Sequence, residues 1–188
     1  MLSYAITDPS TLSSDHPDIY LSHIDGKADM VLYRDKQNDR YSENAKRFIR
    51  AAKAYPFDKI VLHNDTLLAK DLEADGVHLS SDRMEAIPFA KQEGLFVIIS
   101  THALDEALRA EKLGADMVTF SPIFDTPNKG KPVGLEKLRE VCSAVSIPVI
   151  ALGGILTPEQ IGACQEAGAK GFASIRYFKP TEDDEWKK

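Results

Sequence analysis

The run Met117-Val118-Thr119-Phe120-Ser121-Pro122-Ile123-Phe124-Asp125-Thr126-Pro127-Asn128-Lys129-Gly130 joins a β-rich apolar segment to a polar loop, and a helical pattern opens near Gly134. A loop carrying Thr126, Asn128, Lys129 and Gly130 at the end of a buried strand is equipped to hold an anion. Hydroxyl, amide and ammonium donors converge there, and glycine lets backbone N–H groups come close. Further on, Ala151-Leu152-Gly153-Gly154-Ile155 repeats the arrangement after another strand. Two phosphate-type loops at consecutive strand ends point to a βα-barrel enzyme acting on phosphorylated substrates.

Outward from this stretch, short β-rich runs alternate with helical patterns. Strands are expected at residues 2–7, 30–33, 59–63, 76–79, 96–100, 117–120, 148–152 and 171–175. Most are nearly continuous apolar runs, as parallel strands covered on both faces require. Helices are expected at 42–54, 83–93, 103–113, 135–145 and 158–167. In the third of these, Leu104, Ala107, Leu108 and Leu113 form an apolar stripe, with Asp105, Glu106, Arg109 and Glu111 facing away. Thr157-Pro158-Glu159-Gln160 reads as a capped helix start, and Gly94, Gly114 and Gly168 read as helix stops. Eight such units predict an α/β fold, a single-domain (β/α)₈ barrel, or TIM barrel, over 1–188. An open doubly wound sheet would carry its glycine-rich loop after the first strand, where this chain has Asp8-Pro9. After the eighth strand only a short polar tail remains, at 178–188. A truncated last helix is therefore expected, leaving open a homodimer in which a partner covers that flank. The segment 9–17 is the most turn-rich.

The 188 residues suit one domain, and a hydrophobic share of 43% supplies a core. A net charge of −6 argues against broad nucleic-acid or anionic-membrane binding. Cys142 and Cys164 lie in helical segments without metal-ligand spacing and read as packing residues of a reducing compartment. There is no signal-peptide pattern and no membrane-length apolar run, so a soluble cytoplasmic protein is expected.

Polar residues at the carboxyl ends of barrel strands are the site candidates. Arg34 and Lys36, two apart, point to one face; alternatively they are solvated charges paired with Asp35. Asn64-Asp65 serves the site, caps the next helix, or does both. His78 reads as a hydrogen-bonded barrel residue rather than a catalyst. His102 is equally readable as packing beside the fifth helix. His16, His23 and His63 form no convergent pattern and receive no role.

The ordered set of motifs resembles the thiamine-phosphate synthase family and its relatives, the TenI-like thiazole tautomerases. It comprises Tyr4-Ala5-Ile6-Thr7-Asp8, Arg34-Asp35-Lys36, Asn64-Asp65, Asp75-Gly76-Val77-His78-Leu79, Ser100-Thr101-His102, Gly114-Ala115-Asp116, Pro122-Ile123-Phe124-x-Thr126-x-x-Lys129 and the Gly153-Gly154 loop. The resemblance implies a transferase joining hydroxymethylpyrimidine diphosphate and thiazole phosphate into thiamine phosphate, with diphosphate released. It implies catalytic roles for Arg34, Lys36 and Lys129. Substrate contacts are implied for Asn64, Ser100, Thr126, Asn128, Gly153, Gly154, Arg83, Ser174 and Ile175. Asp65 is implied as the ligand of a Mg²⁺ that bridges phosphate oxygens.

The chain departs from that pattern at site positions. Leu32 stands where synthases carry a glutamine that contacts the pyrimidine. Ser80-Ser81-Asp82-Arg83 stands in place of Gly-Gln-x-Asp, so the second metal-ligand position is Arg83. Arg176 stands where serine is usual. Pro122 agrees with the synthases, since the tautomerases carry a catalytic histidine there. These departures put pyrimidine recognition and Mg²⁺ binding in question. They leave open a paralogue with altered or lost activity that binds a phosphorylated ligand, a non-catalytic binder, or a tautomerase.

Overall fold

The computed structural model describes residues 1–12, 16–36 and 38–180. Eight parallel strands close a barrel in chain order: β1 (Leu2–Ile6), β2 (Met30–Tyr33), β3 (Lys59–His63), β4 (Gly76–Leu79), β5 (Phe96–Thr101), β6 (Met117–Phe120), β7 (Val149–Leu152) and β8 (Gly171–Ser174). The helices on the outside are α1 (Pro17–Ile24), α2 (Tyr41–Ala52), α3 (Thr66–Asp71), α4 (Ile87–Gln92), α5 (Leu104–Lys112), α6 (Gly134–Ala144) and α7 (Pro158–Glu166). After β8 comes a single 3₁₀ turn, Arg176–Phe178. The expected last helix and most of the tail fall on 181–188, outside the described residues.

Strand alternation divides the core in two. Tyr4, Ile6, Met30, Leu32, Val61, Ile98, Met117, Ile150 and Ala173 fill the barrel interior. Their neighbours on the same strands, among them Ala5, Val31, Leu62, Val97 and Val118, pack outward against the helices. Gly76 and Gly171 let adjacent strands close at the amino end. A Cβ there would lie 2.3 Å from the Phe96 carbonyl oxygen and 2.6 Å from that of Leu2, respectively.

The amino end carries a repeated device. Ala-Asp precedes β2, β4 and β6, as Asp29, Asp75 and Asp116. Each carboxylate accepts a backbone N–H of the preceding strand: Ser3 at 2.7 Å, Ile60 at 2.7 Å and Val97 at 2.7 Å. These groups satisfy strand starts, and they leave the opposite end free for function.

Three local details differ from expectation. The expected helix 83–93 is a 3₁₀ turn, Ser81–Ala86, followed by α4. Pro88 offers no N–H to continue a helix backwards, and Arg83 has non-helical angles (φ −108°, ψ 26°). On α5, Leu108 is 42% exposed, while Ala107 and Ala110 make the buried face. The small alanines seat the helix against the barrel. The first strand ends at Ile6 rather than Thr7, whose hydroxyl is used to hold the backbone N–H of Arg34 at 2.9 Å. The Thr157 cap is present as a reciprocal capping box with Gln160. Gly94, Gly114 and Gly168 take the left-handed angles that stop their helices.

Candidate active site

Strand alternation brings one residue after another to the carboxyl-end mouth. Ile6, Leu32, Arg34, His63, His78, Ser80, Ser100, Ser121, Leu152 and Ile175 all line a cavity of about 310 Å³, together with Lys36, His102, Thr126, Lys129 and Gly153. This volume falls at the low end of small-molecule sites. Two shallower hollows share its walls. One extends over the β7 and β8 loops, adding Ser10, Gly154, Ser174, Arg176 and Lys179. The other extends over the β3 and β4 loops, adding Asn64, Asp82 and Arg83.

The cations converge. Burial lowers the pKa of Lys36, and the neighbouring charges of Arg34 and Lys129 lower it further, against an opposing pull from Asp82. Burial also lowers that of Arg34. Among the described residues, neither these two nor Lys129 makes an ion pair. Asp35 instead accepts the Asn38 amide at 2.8 Å, so the local-pairing alternative for Arg34 and Lys36 is not realised. Asp8 and Asp82 act on Arg34 and Lys36 from a distance, yet three like charges without a contact ion pair at a cavity wall favour a polyanion.

Two histidines stay neutral beside them. Burial, then Arg34, Lys36 and Arg83, push His63 down to about 3. Burial, then His63 and Arg34, push His78 down to about 3. His63, given no role from sequence, is a wall residue of the cavity; its place as the last inward position of β3 was the available signal. His78 is hydrogen-bonded inside the barrel, as expected. Its Nδ1 lies 3.1 Å from Tyr4 Oη and its Nε2 lies 3.0 Å from Ser100 Oγ. His102 both packs and lines the cavity. Its Nδ1 faces the Ser121 carbonyl at 2.9 Å, and because a carbonyl only accepts, Nδ1 carries the proton.

The β6 and β7 loops interlock. Ile123 N–H donates to Leu152 O and Phe124 N–H to Gly153 O, both at 3.0 Å. Gly153 (φ +100°) and Gly154 (φ +69°) press on this contact. A Cβ would lie 2.8 Å from Pro122 Cα in the first case and 2.5 Å from Asp125 O in the second. Among the described residues the N–H groups of Gly153 and Gly154 have no backbone acceptor, which leaves them for an anion in the adjoining hollow. Thr126 donates its hydroxyl to Phe124 O at 2.9 Å, and Asn128 adopts φ +60°. Both shape the turn that presents Lys129. Ser174 bridges Ile155 O at 3.1 Å and Tyr177 N–H at 3.1 Å. Arg176 and Lys179, absent from the expected set, line the same hollow as Gly154.

On the other side, Asp65 caps α3 by accepting Leu68 N–H at 2.9 Å. Asn64, at φ +60°, binds Ser80 N–H at 2.8 Å, tying the β3 loop to the β4 loop. Ser80 Oγ donates to Asp82 at 2.5 Å. Among the described residues no group of three or more His, Cys, Asp or Glu could hold a metal ion. The donor set is thus one half-used carboxylate, Asp65, and an exposed one, Asp82, beside Arg83. It fits a Mg²⁺ shared with the phosphates of a ligand, not a resident ion.

Barrel, cation cluster and unpaired glycine N–H groups together define a (β/α)₈ barrel with a cation-lined mouth. Residues 3–178 match the family described as thiamine monophosphate synthase, and the chain belongs to that family. It is 36% identical over 180 residues to a putative thiamine-phosphate synthase 2 of Aquifex aeolicus, covering 93% of this chain and 96% of the relative. It is 36% identical over 196 residues to a thiamine-phosphate synthase of Methanocella arvoryzae, covering 96% and 88%. A solved thiamine phosphate pyrophosphorylase from Pyrococcus furiosus superposes with a TM-score of 0.79 at 30% identity, over 93% of this chain and 85% of that one.

Proposed function

We propose that the protein is a transferase that joins hydroxymethylpyrimidine diphosphate and thiazole phosphate into thiamine phosphate. The observation that carries this is the cluster Arg34, Lys36 and Lys129 lining one cavity with no contact ion pair among the described residues, in a chain of this family. The pyrimidine ring lies against Ile6, Leu32, Leu152 and Ile175, with its diphosphate under the three cations. The bond between the methylene carbon and the diphosphate oxygen breaks, and the diphosphate leaves with the electron pair. The thiazole nitrogen then donates its lone pair to that carbon. Such a step depends on neutralising charge on the leaving group and on holding two reactants face to face. The thiazole phosphate sits on Gly153 and Gly154 N–H, with Arg176 and Lys179 beside it. Asp65 would hold a Mg²⁺ only in company with the diphosphate, where the ion supplies further neutralising charge.

Leu32 replaces amide recognition of the pyrimidine by apolar contact, and Arg83 replaces a metal ligand by a fixed charge. Neither change removes the cation cluster, which favours retained turnover. Two free thiols, Cys142 and Cys164, support a reducing, cytoplasmic setting. Among the described residues no helix is long and apolar enough to cross a membrane.

The test supplies both phosphorylated substrates and Mg²⁺ to purified protein. Thiamine phosphate and diphosphate in equal amounts are expected. Binding of both substrates without product would overturn the reading in favour of a binder. Interconversion of thiazole tautomers would overturn it in favour of a tautomerase.

A further inference from the structure

We propose that Tyr4, beneath the cavity, and His78, in its wall, are a positioning pair that makes Ser100 a hydrogen-bond donor toward the bound pyrimidine. What lies above Ser100 rests on the synthase reading; the pair itself does not. Tyr4 is 0% exposed and His78 3%. Their rings stack at 5.8 Å inside the barrel. Tyr4 Oη meets Nδ1 of His78, and Nε2 meets Ser100 Oγ, which opens on the cavity.

A neutral imidazole carries one proton, so only two arrangements exist. With the proton on Nδ1, His78 donates to Tyr4, and the phenolic proton is left with no acceptor among the described residues. Burial holds the Tyr4 phenol far above its usual pKa, so that proton cannot be shed. With the proton on Nε2, Tyr4 donates to Nδ1 and Nε2–H donates to Ser100 Oγ. No buried proton is then unmatched, which is the rule for buried polar groups. Ser100 accepts from below and keeps its own proton free for an acceptor above. In the opposite arrangement Ser100 would spend its proton on His78 and offer only lone pairs. Tyr4 therefore biases, from the far side of a histidine, whether Ser100 offers a donor.

The tautomer is read directly by nitrogen NMR of histidine-labelled apo protein near neutral pH. Wild-type His78 is expected neutral with the proton on Nε2; in Tyr4→Phe either tautomer leaves Nδ1 unmatched, so the bias weakens and the Nδ1 form is expected to become detectable. A proton on Nδ1 in the wild type, or an imidazolium, would overturn the pair. Calorimetry with hydroxymethylpyrimidine diphosphate reads the consequence. Tyr4→Phe should weaken binding in proportion to the Nδ1 share, up to about five- to ten-fold, the scale of one hydrogen bond. In a Ser100→Ala background it should cost nothing more. Equal losses in both backgrounds would make Tyr4 a packing residue and sink the proposal. A protein that makes no thiamine phosphate yet shows the Nε2 tautomer refutes the synthase reading and leaves the pair standing.

Discussion

On the β1–β5 side of the mouth, polar groups reach the cavity as side chains: Arg34, His63, His78 and Ser100 project from alternating strand positions. On the β6–β8 side, beside the Thr126 and Lys129 side chains, the cavity and its annex meet backbone: Gly153 and Gly154 press on the β6 loop, and among the described residues their N–H groups have no backbone acceptor. The first wall can be retuned one side chain at a time, because each group hangs from a strand that pairs regardless of what it carries. The second cannot, because its chemistry is its packing. Two of the chain's three departures follow this division, and Arg176, a side chain on the turn after β8, is the exception. Leu32 and Arg83 lie on the side-chain wall, while Ala151-Leu152-Gly153-Gly154-Ile155 keeps the family pattern.

The largest expected effect lies under the side-chain wall. His63 and His78 are held neutral in the fold, with values near 3 against an ordinary 6.5. The unfolded chain binds their protons more readily, so this stability is full above about pH 6.5 and is lost as pH falls toward about 3. Each histidine should contribute a slope of about 1.4 kcal/mol per pH unit within that window. Denaturant unfolding at pH 7, 6 and 5 reads the sum, and His63→Asn should remove about half of the histidine part. A flat profile would mean that the wall tolerates charge at its floor.

Next comes the backbone wall. Gly154→Ala places a Cβ 2.5 Å from Asp125 O at φ +69°. The left-handed backbone costs about 1–2 kcal/mol and overpacking about 1–3 kcal/mol. Thermal unfolding should record the loss, and binding of thiazole phosphate should fall with it. Unchanged stability would break the contrast between the walls. Lys129→Ala is the opposite case. It should weaken pyrophosphate binding by about 1.5–3 kcal/mol, the range for hydrogen bonds to charged groups, with no change in melting temperature. Calorimetry and a melt on one sample test both halves.

Much of this was legible in the sequence. Nearly continuous apolar runs and glycine stops marked eight units, and the rule that site residues follow strands placed Arg34, Ser100, Lys129 and Gly153 at one mouth. His63 was not legible, because its significance is three cations brought near it from β2 and β4 loops distant in the chain. Leu108 was misassigned because a helical stripe gives a face only to within a residue, and alanines decided the docking. The capping of α3 by Asp65 was foreseen as one alternative; the tie from Asn64 to Ser80 was not, because spacing alone does not say which partner a short polar side chain takes.

The smallest expected effect sharpens the comparison at the position where the side-chain wall departs most. Arg83 lines the hollow over the β3 and β4 loops with Lys36, Asn64 and Asp82. A fixed cation there repels a second one, and Asp65 already spends one oxygen on α3. Mg²⁺ titrated alone should therefore bind weakly, whereas with pyrophosphate present the ligand's own oxygens complete the shell. Arg83→Asp replaces a repelling charge with a ligand and should tighten Mg²⁺ in the presence of pyrophosphate. A gain of about ten-fold, or roughly 1.4 kcal/mol, would show that the wall is retunable in the direction the family pattern takes. The melting temperature should move little, since the side chain is exposed. Tight Mg²⁺ binding by the unaltered protein without pyrophosphate would show instead that Asp82 turns away from Ser80 to complete a site. No gain in the variant would mean that the 3₁₀ turn at Ser81–Ala86 aims position 83 away from the phosphates. The side-chain wall would then be set by local backbone after all.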